Sequence, residues 1–303
     1  MTRRWWSLGF LFGVVIGGAS FAHGACEVTD RHVYCGQPSH DSLLLRQGYV
    51  LAYDHERLVP KWVAYRVEPD YRNTPIRQGV FARYRTDPDF VDPVVDTDYD
   101  GLFDANVGNF ARGHLAPYAV MGGDRDGDGQ YASLDETKND PEDAQTLFEA
   151  NYMSNMAPQH HYQFNGPGGL WFKVERWIQD DFVKTGGRSA WVFAGTLFGS
   201  GPAEWEVSAK GIAVPPVFWK IVIEETFTPE EPRVLAFLLP HQRVSHGDLT
   251  DYLVSVDIIE QLTGLNFFSD LSEAQQEQIE RTDTCANWNT YFNTWWPFTW
   301  GCR

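Results

Sequence analysis

Arg112 and His114 sit two apart around Gly113, and Asn155, Asn165 and Glu175 follow further along the chain. A His titrating near neutral pH can take a proton from water. An Arg can grip a phosphate through two parallel hydrogen bonds. An Asn carbonyl suits magnesium as a single protein ligand, because that ion keeps several of its waters. A carboxylate such as Glu175 can then hydrogen-bond a metal-bound water. Hydrolysing a phosphodiester needs a deprotonated water, neutralised phosphoryl oxygens and a stabilised leaving 3′ oxygen. A divalent cation can serve the second and third needs. The pattern therefore makes His114 the general base, Arg112 the phosphate contact and Asn165 the magnesium ligand.

These groups need elements to hold them. A separation of two matches the strand period, so Arg112 and His114 should project from one side of a short strand over Ala111 to Tyr118. The acidic, Gly-bearing stretch from Gly122 to Asp140 follows. Pro141 to Ala150 reads as a helix with acids in its first turn, and Asn151 to Met156 as a second short strand. Leu170, Trp171, Val174, Trp177, Ile178 and Phe182 then recur at helical spacing, with Lys173, Glu175 and Gln179 on the polar face. Tyr49 to Tyr53 and Lys61 to Val67 read as early strands; Ala190 to Phe198, Val217 to Ile223 and Val234 to Leu239 read as buried ones. Leu249 to Leu262 reads as an amphipathic helix. The order gives an α+β fold with mostly antiparallel pairing.

At Asn109-Phe110-Ala111-Arg112-Gly113-His114-Leu115-Ala116-Pro117, at Tyr152-Met153-Ser154-Asn155-Met156-Ala157-Pro158-Gln159, and at Asn165, Trp171 and Glu175, the chain resembles the DNA/RNA non-specific endonucleases. These are the endonuclease-G-like members of the ββα-metal (His-Me finger) nucleases. The resemblance runs from about 45 to 275 in one ordered set, which is more specific than its parts. It implies a central, mostly antiparallel sheet with a strand–strand–helix metal site. It implies His114 as base, Asn165 as direct Mg2+ ligand (with Mn2+ as an alternative ion), Glu175 beside the metal's waters, and Asn155 and Arg112 as supports. It implies cleavage of DNA and RNA to 5′-phosphate ends. Two departures stand out. Ala111 occupies the family's acidic position before the Arg-Gly-His, which should loosen that loop. The upstream Arg is offset by one, making Arg83 the expected counterpart and Arg85 its alternative.

Asp124, Asp126, Asp128, Gln130 and Asp135 fit a calcium loop, with acids at positions one, three and five and Gly129 at the sharp turn. Gln130 would contribute its backbone carbonyl and Asp135 would close the set. The expectation is a structural Ca2+ in an insertion spanning 122–140, apart from the catalytic metal.

The net charge is −17, which argues against a protein that coats nucleic acid by long-range attraction. It leaves room for a local basic cleft. Arg3 and Arg4, an uncharged apolar run and Ala22-His23-Gly24 read as a signal peptide over 1–24, giving a secreted or periplasmic protein. No later segment looks able to cross a bilayer, so no stable membrane association is expected after cleavage. Residues 25–303 then form a single nuclease domain. Cys26, Cys35, Cys285 and Cys302 suggest two disulfides, with Cys26–Cys35 and Cys285–Cys302 favoured over strapping the termini together. The second pair would staple an aromatic tail over 276–303. Two other functions fit the same residues: a calcium-ordered binding module with weak catalysis, and a phosphodiesterase for a smaller substrate. A basic cleft around Arg112 would favour the polymer, and a closed acidic rim the small ester.

Overall fold

The computed structural model describes residues 32–102, 109–133, 135, 139–199, 210–224, 232–242 and 247–281. The export signal, the aromatic tail, and Cys26, Cys285 and Cys302 lie outside these residues.

Seven strands form one antiparallel sheet: β1 (Leu43–Leu45), β2 (Val50–Asp54), β3 (Val59–Val67), then β6 (Ala190–Leu197), β7 (Val217–Glu224), β8 (Arg233–Pro240) and β9 (Leu253–Val254), side by side in that order. Two intervening strands, β4 (Phe110–His114) and β5 (Met156–His160), pair only with each other. The large sheet is apolar on both faces, and its residues alternate between two cores as the strand period requires. Tyr49, Leu51, Val63, Tyr65, Val192 and Phe218 fill one face. Val50, Ala52, Trp62, Ala64, Phe193, Trp219 and Ile221 fill the other. The first face carries the β4–β5 ribbon through Phe110, Met156, Phe164 and Trp171. The second is covered by α3 (Val256–Thr263) and α4 (Glu273–Glu280), through Val256, Ile259 and Ile279.

The helix at Pro141–Ala150, α1, has the bounds its sequence suggests, with Asp140 capping the Asp143 N–H at 2.9 Å. The helix α2, Leu170–Arg176, continues as a π-helix over Trp177–Thr185. Its six apolar positions are all buried.

Three elements differ from expectation. The strand expected over Ala111 to Tyr118 is Phe110–His114, and Tyr118–Val120 after Pro117 is a 3-10 turn. Asn151 to Met156 is not a strand: Met153–Asn155 is a 3-10 turn and pairing begins at Met156. Leu249 to Leu262 is not one helix. Leu249–Tyr252 is a 3-10 turn, Leu253–Val254 joins the sheet edge, and the helix starts only after Ser255. Among the described residues no helix is long and apolar enough to cross a membrane.

Candidate active site

The ribbon sets the geometry. His114 pairs with Met156, Gly113 with Ala157 and Phe110 with His160. A Cβ on Gly113 would fall 2.1 Å from Cδ of Gln159, which is fully buried. With Gln159 in this position, any larger residue would clash. Gly113→Ala should therefore cost about 1–3 kcal/mol in urea unfolding through overpacking; an unchanged midpoint would show that Gln159 swings aside freely.

Arg112 and His114 do share a side of β4, since both face Tyr84. The rings of Tyr84 and His114 lie 6.1 Å apart, and the Arg112 guanidinium lies 5.1 Å from the Tyr84 ring centre. A third cation joins them. The Arg77 guanidinium sits 4.5 Å over the same ring, and its Nη1 donates to the Tyr84 hydroxyl at 3.3 Å. Its Nε and Nη2 are buried with no hydrogen-bond partner among the described residues. Sequence spacing did not single out Arg77. Arg83 is exposed at the end of a 3-10 turn, and no hydrogen bond, ion pair or ring contact joins it to Arg112 or His114. Arg85 turns toward α1: it lies 4.1 Å over the Phe148 ring and donates to Val80 O.

Asn151, the residue after α1, was also not singled out, and it defines the state of His114. Its Nδ2 donates to Phe81 O and Leu147 O, each at 3.1 Å. That fixes which end of the amide is oxygen. Oδ1 then faces Nε2 of His114 at 3.3 Å. An amide oxygen can only accept, so Nε2 carries the hydrogen and Nδ1 keeps a lone pair. Burial, with help from the Arg77 charge, pushes the His114 pKa down to about 3, against the opposing pull of Asn151. The imidazole is neutral at ordinary pH, as a base must be.

Asn155 is fully buried and spends its amide on the backbone. Its Oδ1 accepts from Ala116 N–H, and its Nδ2 donates to Ala116 O and Ala150 O, each at 2.9 Å. It ties the exit of β4 to the end of α1. Ala111 does not leave Arg112 loose. Asp96 supplies the missing acid: its Oδ1 lies 2.5 Å from Arg112 Nε, and its carbonyl accepts from Nη2 at 2.7 Å. Asp100 stands 3.9 Å away. The surroundings of Arg112 are thus mixed, with Arg77 on one side and an acidic rim on the other.

After β5, the His160 carbonyl accepts from both Phe164 N–H and Asn165 N–H, which pins the turn carrying Asn165. Asn165 is half-buried, and its amide makes no hydrogen bond among the described residues. His241 steadies the same corner, donating from Nδ1 to Pro215 O and accepting at Nε2 from His160 N–H, each at 2.7 Å.

Glu175 lies one turn beyond Trp171 on α2. Its carboxylate meets Nζ of Lys220 at 3.4 Å, and that ammonium sits 3.8 Å over the Trp171 ring. Lys220 is fully buried on β7, on the face that carries the ribbon. Burial raises Glu175 and lowers Lys220, while each one's charge opposes the other's shift. The structure therefore gathers Arg112, His114, Arg77 and Asn151 around Tyr84, and Glu175, Lys220 and Trp171 around α2. The ribbon and the His160-anchored turn join the two groups. An uncommitted amide oxygen at Asn165 and a carboxylate at Glu175 are hard donors that suit a hydrated magnesium ion.

In the acidic segment, Asp124, Asp126 and Asp128 come together, each offering an oxygen within 4.8 Å of the others. Asp135 is exposed and takes no part in that group. The Gln130 side chain bonds Asp128 at 2.8 Å.

A sheet with this detached strand–strand–helix finger is the architecture of ββα-metal nucleases. The family model for DNA/RNA non-specific endonuclease matches residues 31–274, and the chain belongs to that family and is a nuclease. A nuclease of Nostoc sp. is 26% identical over 82% of this chain and 84% of its own. A nuclease of Serratia marcescens is 25% identical over 78% and 79%. A crystal structure of an EndoG/EndoGI complex matches the fold with a TM-score of 0.59 at 22% identity, over 79% of this chain and 91% of that one.

Proposed function

We propose that the protein is an exported, Mg2+-dependent endonuclease that cuts DNA and RNA without sequence preference and leaves 5′-phosphate ends. One observation carries the reading most directly: Asn151 holds His114 in the tautomer whose Nδ1 can accept a proton from water. Arg77 supports it with a positive charge beside that base, which favours a phosphate there. Arg112, braced by Asp96, faces the same ring.

In this reading His114 Nδ1 takes the proton of the attacking water. Arg77 and Arg112 orient the phosphate and offset its charge. Asn165 would hold the metal and Glu175 would hydrogen-bond a water in its shell. The ion, when bound, stabilises charge on the phosphoryl and leaving oxygens. Polymer is favoured over a small ester because the family is one of DNA/RNA endonucleases. The residues at 1–24 support export and removal of the signal. The same reading gives the segment 122–140 a second cation, Ca2+, with a structural task.

The experiment is digestion of plasmid and single-stranded RNA by the purified protein. Both should be cut with Mg2+, cutting should stop after chelation and return with Mg2+ or Mn2+, and the new ends should be ligatable 5′ phosphates. Undiminished cutting after exhaustive chelation, or 3′-phosphate ends, would overturn it.

A further inference from the structure

The loop at Asp124 is fastened on two sides. Gly122 and Gly123 donate to Tyr71 O and Asn73 O, and the Arg125 guanidinium lies 3.4 Å over the Tyr71 ring. On the other side, Arg125 N–H donates to Oδ1 of Asp143, in the first turn of α1, at 2.8 Å. The loop is therefore held against a helix that the calcium-loop pattern does not include.

A second triad forms at this contact. Asp126, Asp140 and Asp143 each offer an oxygen within 4.8 Å of the other two. Asp140 and Asp143 are only 3% and 1% exposed. Each uses one oxygen locally: Asp140 Oδ1 accepts from Asp143 N–H, and Asp143 Oδ1 from Arg125 N–H. The other oxygen of each, Oδ2, is shut from solvent and has no hydrogen-bond partner among the described residues. Two buried carboxylate oxygens without donors, beside further acids, are costly unless a cation meets them.

We propose that Asp140 and Asp143 join Asp126, with Asp124 and Asp128 beside it, in one Ca2+ site, and that Asp135 is not a ligand. This rests on the structural-cation reading of the segment and is independent of the nuclease chemistry. The donors are carboxylates from a turn and a helix start, a large and irregular oxygen set that suits calcium better than the small octahedral magnesium. The site has a consequence for catalysis. It clamps the first turn of α1, whose far end leads into Asn151, the residue that sets the His114 tautomer. Asn155 holds that far end through Ala150 O. Calcium thus fixes the loop end of that path, and Asn155 fixes the end at the base.

The test is thermal unfolding and calorimetric binding of the intact protein with Ca2+, with Mg2+ and after chelation. Ca2+ at a hundredfold excess over its Kd should raise the Tm by about 5 to 10 °C. Asp143→Asn and, as a second variant, Asp126→Asn should lose most of that rise, while Asp143→Asn in chelator should be at least as stable as the parent. Asp135→Asn should keep the rise. Asn165→Ala should also keep it, which separates this ion from the catalytic one. No calorimetric binding of Ca2+, an equal rise with Mg2+ in Asn165→Ala, or loss of the rise in Asp135→Asn with retention in Asp143→Asn would each overturn the proposal. None of these readouts depends on whether the protein cuts nucleic acid.

Discussion

His114→Ala should lower the cleavage of plasmid and of RNA by about 10²- to 10⁴-fold, the range for loss of a positioned general base. The fold should survive. The ring makes one side-chain hydrogen bond, to Asn151, whose other two bonds to the backbone remain. Far-UV circular dichroism and the urea midpoint should therefore stay close to those of the parent. Loss of activity with an intact fold places His114 in the chemistry. Activity within a few-fold of the parent would remove it, and with it the strand–strand–helix reading of the reaction.

The same base predicts a pH profile. A general base works only unprotonated. Because the pKa of His114 is held near 3 and not at its ordinary 6.5, acidification to pH 5 should not protonate it. The acid limb of kcat/KM should fall well below 6.5. The cause is also testable: Arg77→Met removes a positive neighbour, so the limb should move toward higher pH while KM for polymer rises. A limb that stays near 6.5 in both proteins would mean that His114 is far more hydrated than its surroundings indicate.

The large sheet was legible because its chemistry is simple. Phe218, Trp219, Lys220, Ile221 and Val222 form a short apolar run broken by one charge, and its length with its aromatic and β-branched residues favours a strand covered on both faces. The turn at 151–155 was not legible, since Tyr152, Met153 and Ser154 look like any short strand. What decides it is Asn155, whose amide takes the backbone groups of Ala116 and Ala150 and outcompetes ladder pairing. Similarly, the 249–262 run breaks into a turn and a later helix: Asp251 accepts from the Asp248 N–H within the turn, and Leu253 and Val254 pair with the edge of β8 before the helix begins.

Part of the site was legible for a related reason. His114, Arg112, Asn165 and Glu175 lie on the finger itself, within one stretch of ordered spacing. Arg77, Asn151, Asp96 and Lys220 reach the site from outside that pattern, and only the packed fold shows which of many Arg, Asn, Asp and Lys residues face it. Asn151 did carry a signal, as an Asn at the end of a helix four residues before another Asn. The acidic loop shows the same limit: spacing identified Asp124, Asp126 and Asp128, but Asp140 and Asp143 sit beyond the pattern, and only their burial brings them in.

Lys220 is where the fold and the site depend on each other most. Lys220→Met should destabilise the protein by about 3–5 kcal/mol at pH 8, since removing one member of a buried ion pair leaves the other charge uncompensated. Methionine nearly matches the lysine stem in volume, so little of this loss would come from packing. The sign of the pH dependence identifies the cause. Burial already raises Glu175 above its ordinary value, and Lys220 pulls it back down. Without Lys220 the folded-state pKa of Glu175 rises further above its unfolded value. The folded protein then binds the extra proton as pH falls through that raised pKa, and stability recovers. The deficit of Lys220→Met should thus be large at pH 8 and shrink toward pH 5, in urea unfolding curves measured at both. Glu175→Gln combined with Lys220→Met removes both charges and should restore most of the loss at pH 8, although the carboxylate near the metal's waters is then gone and activity should not return. A deficit equal at the two pH values, and unrelieved in the double variant, would mean that the lysine serves by its shape against Trp171 and not by its charge.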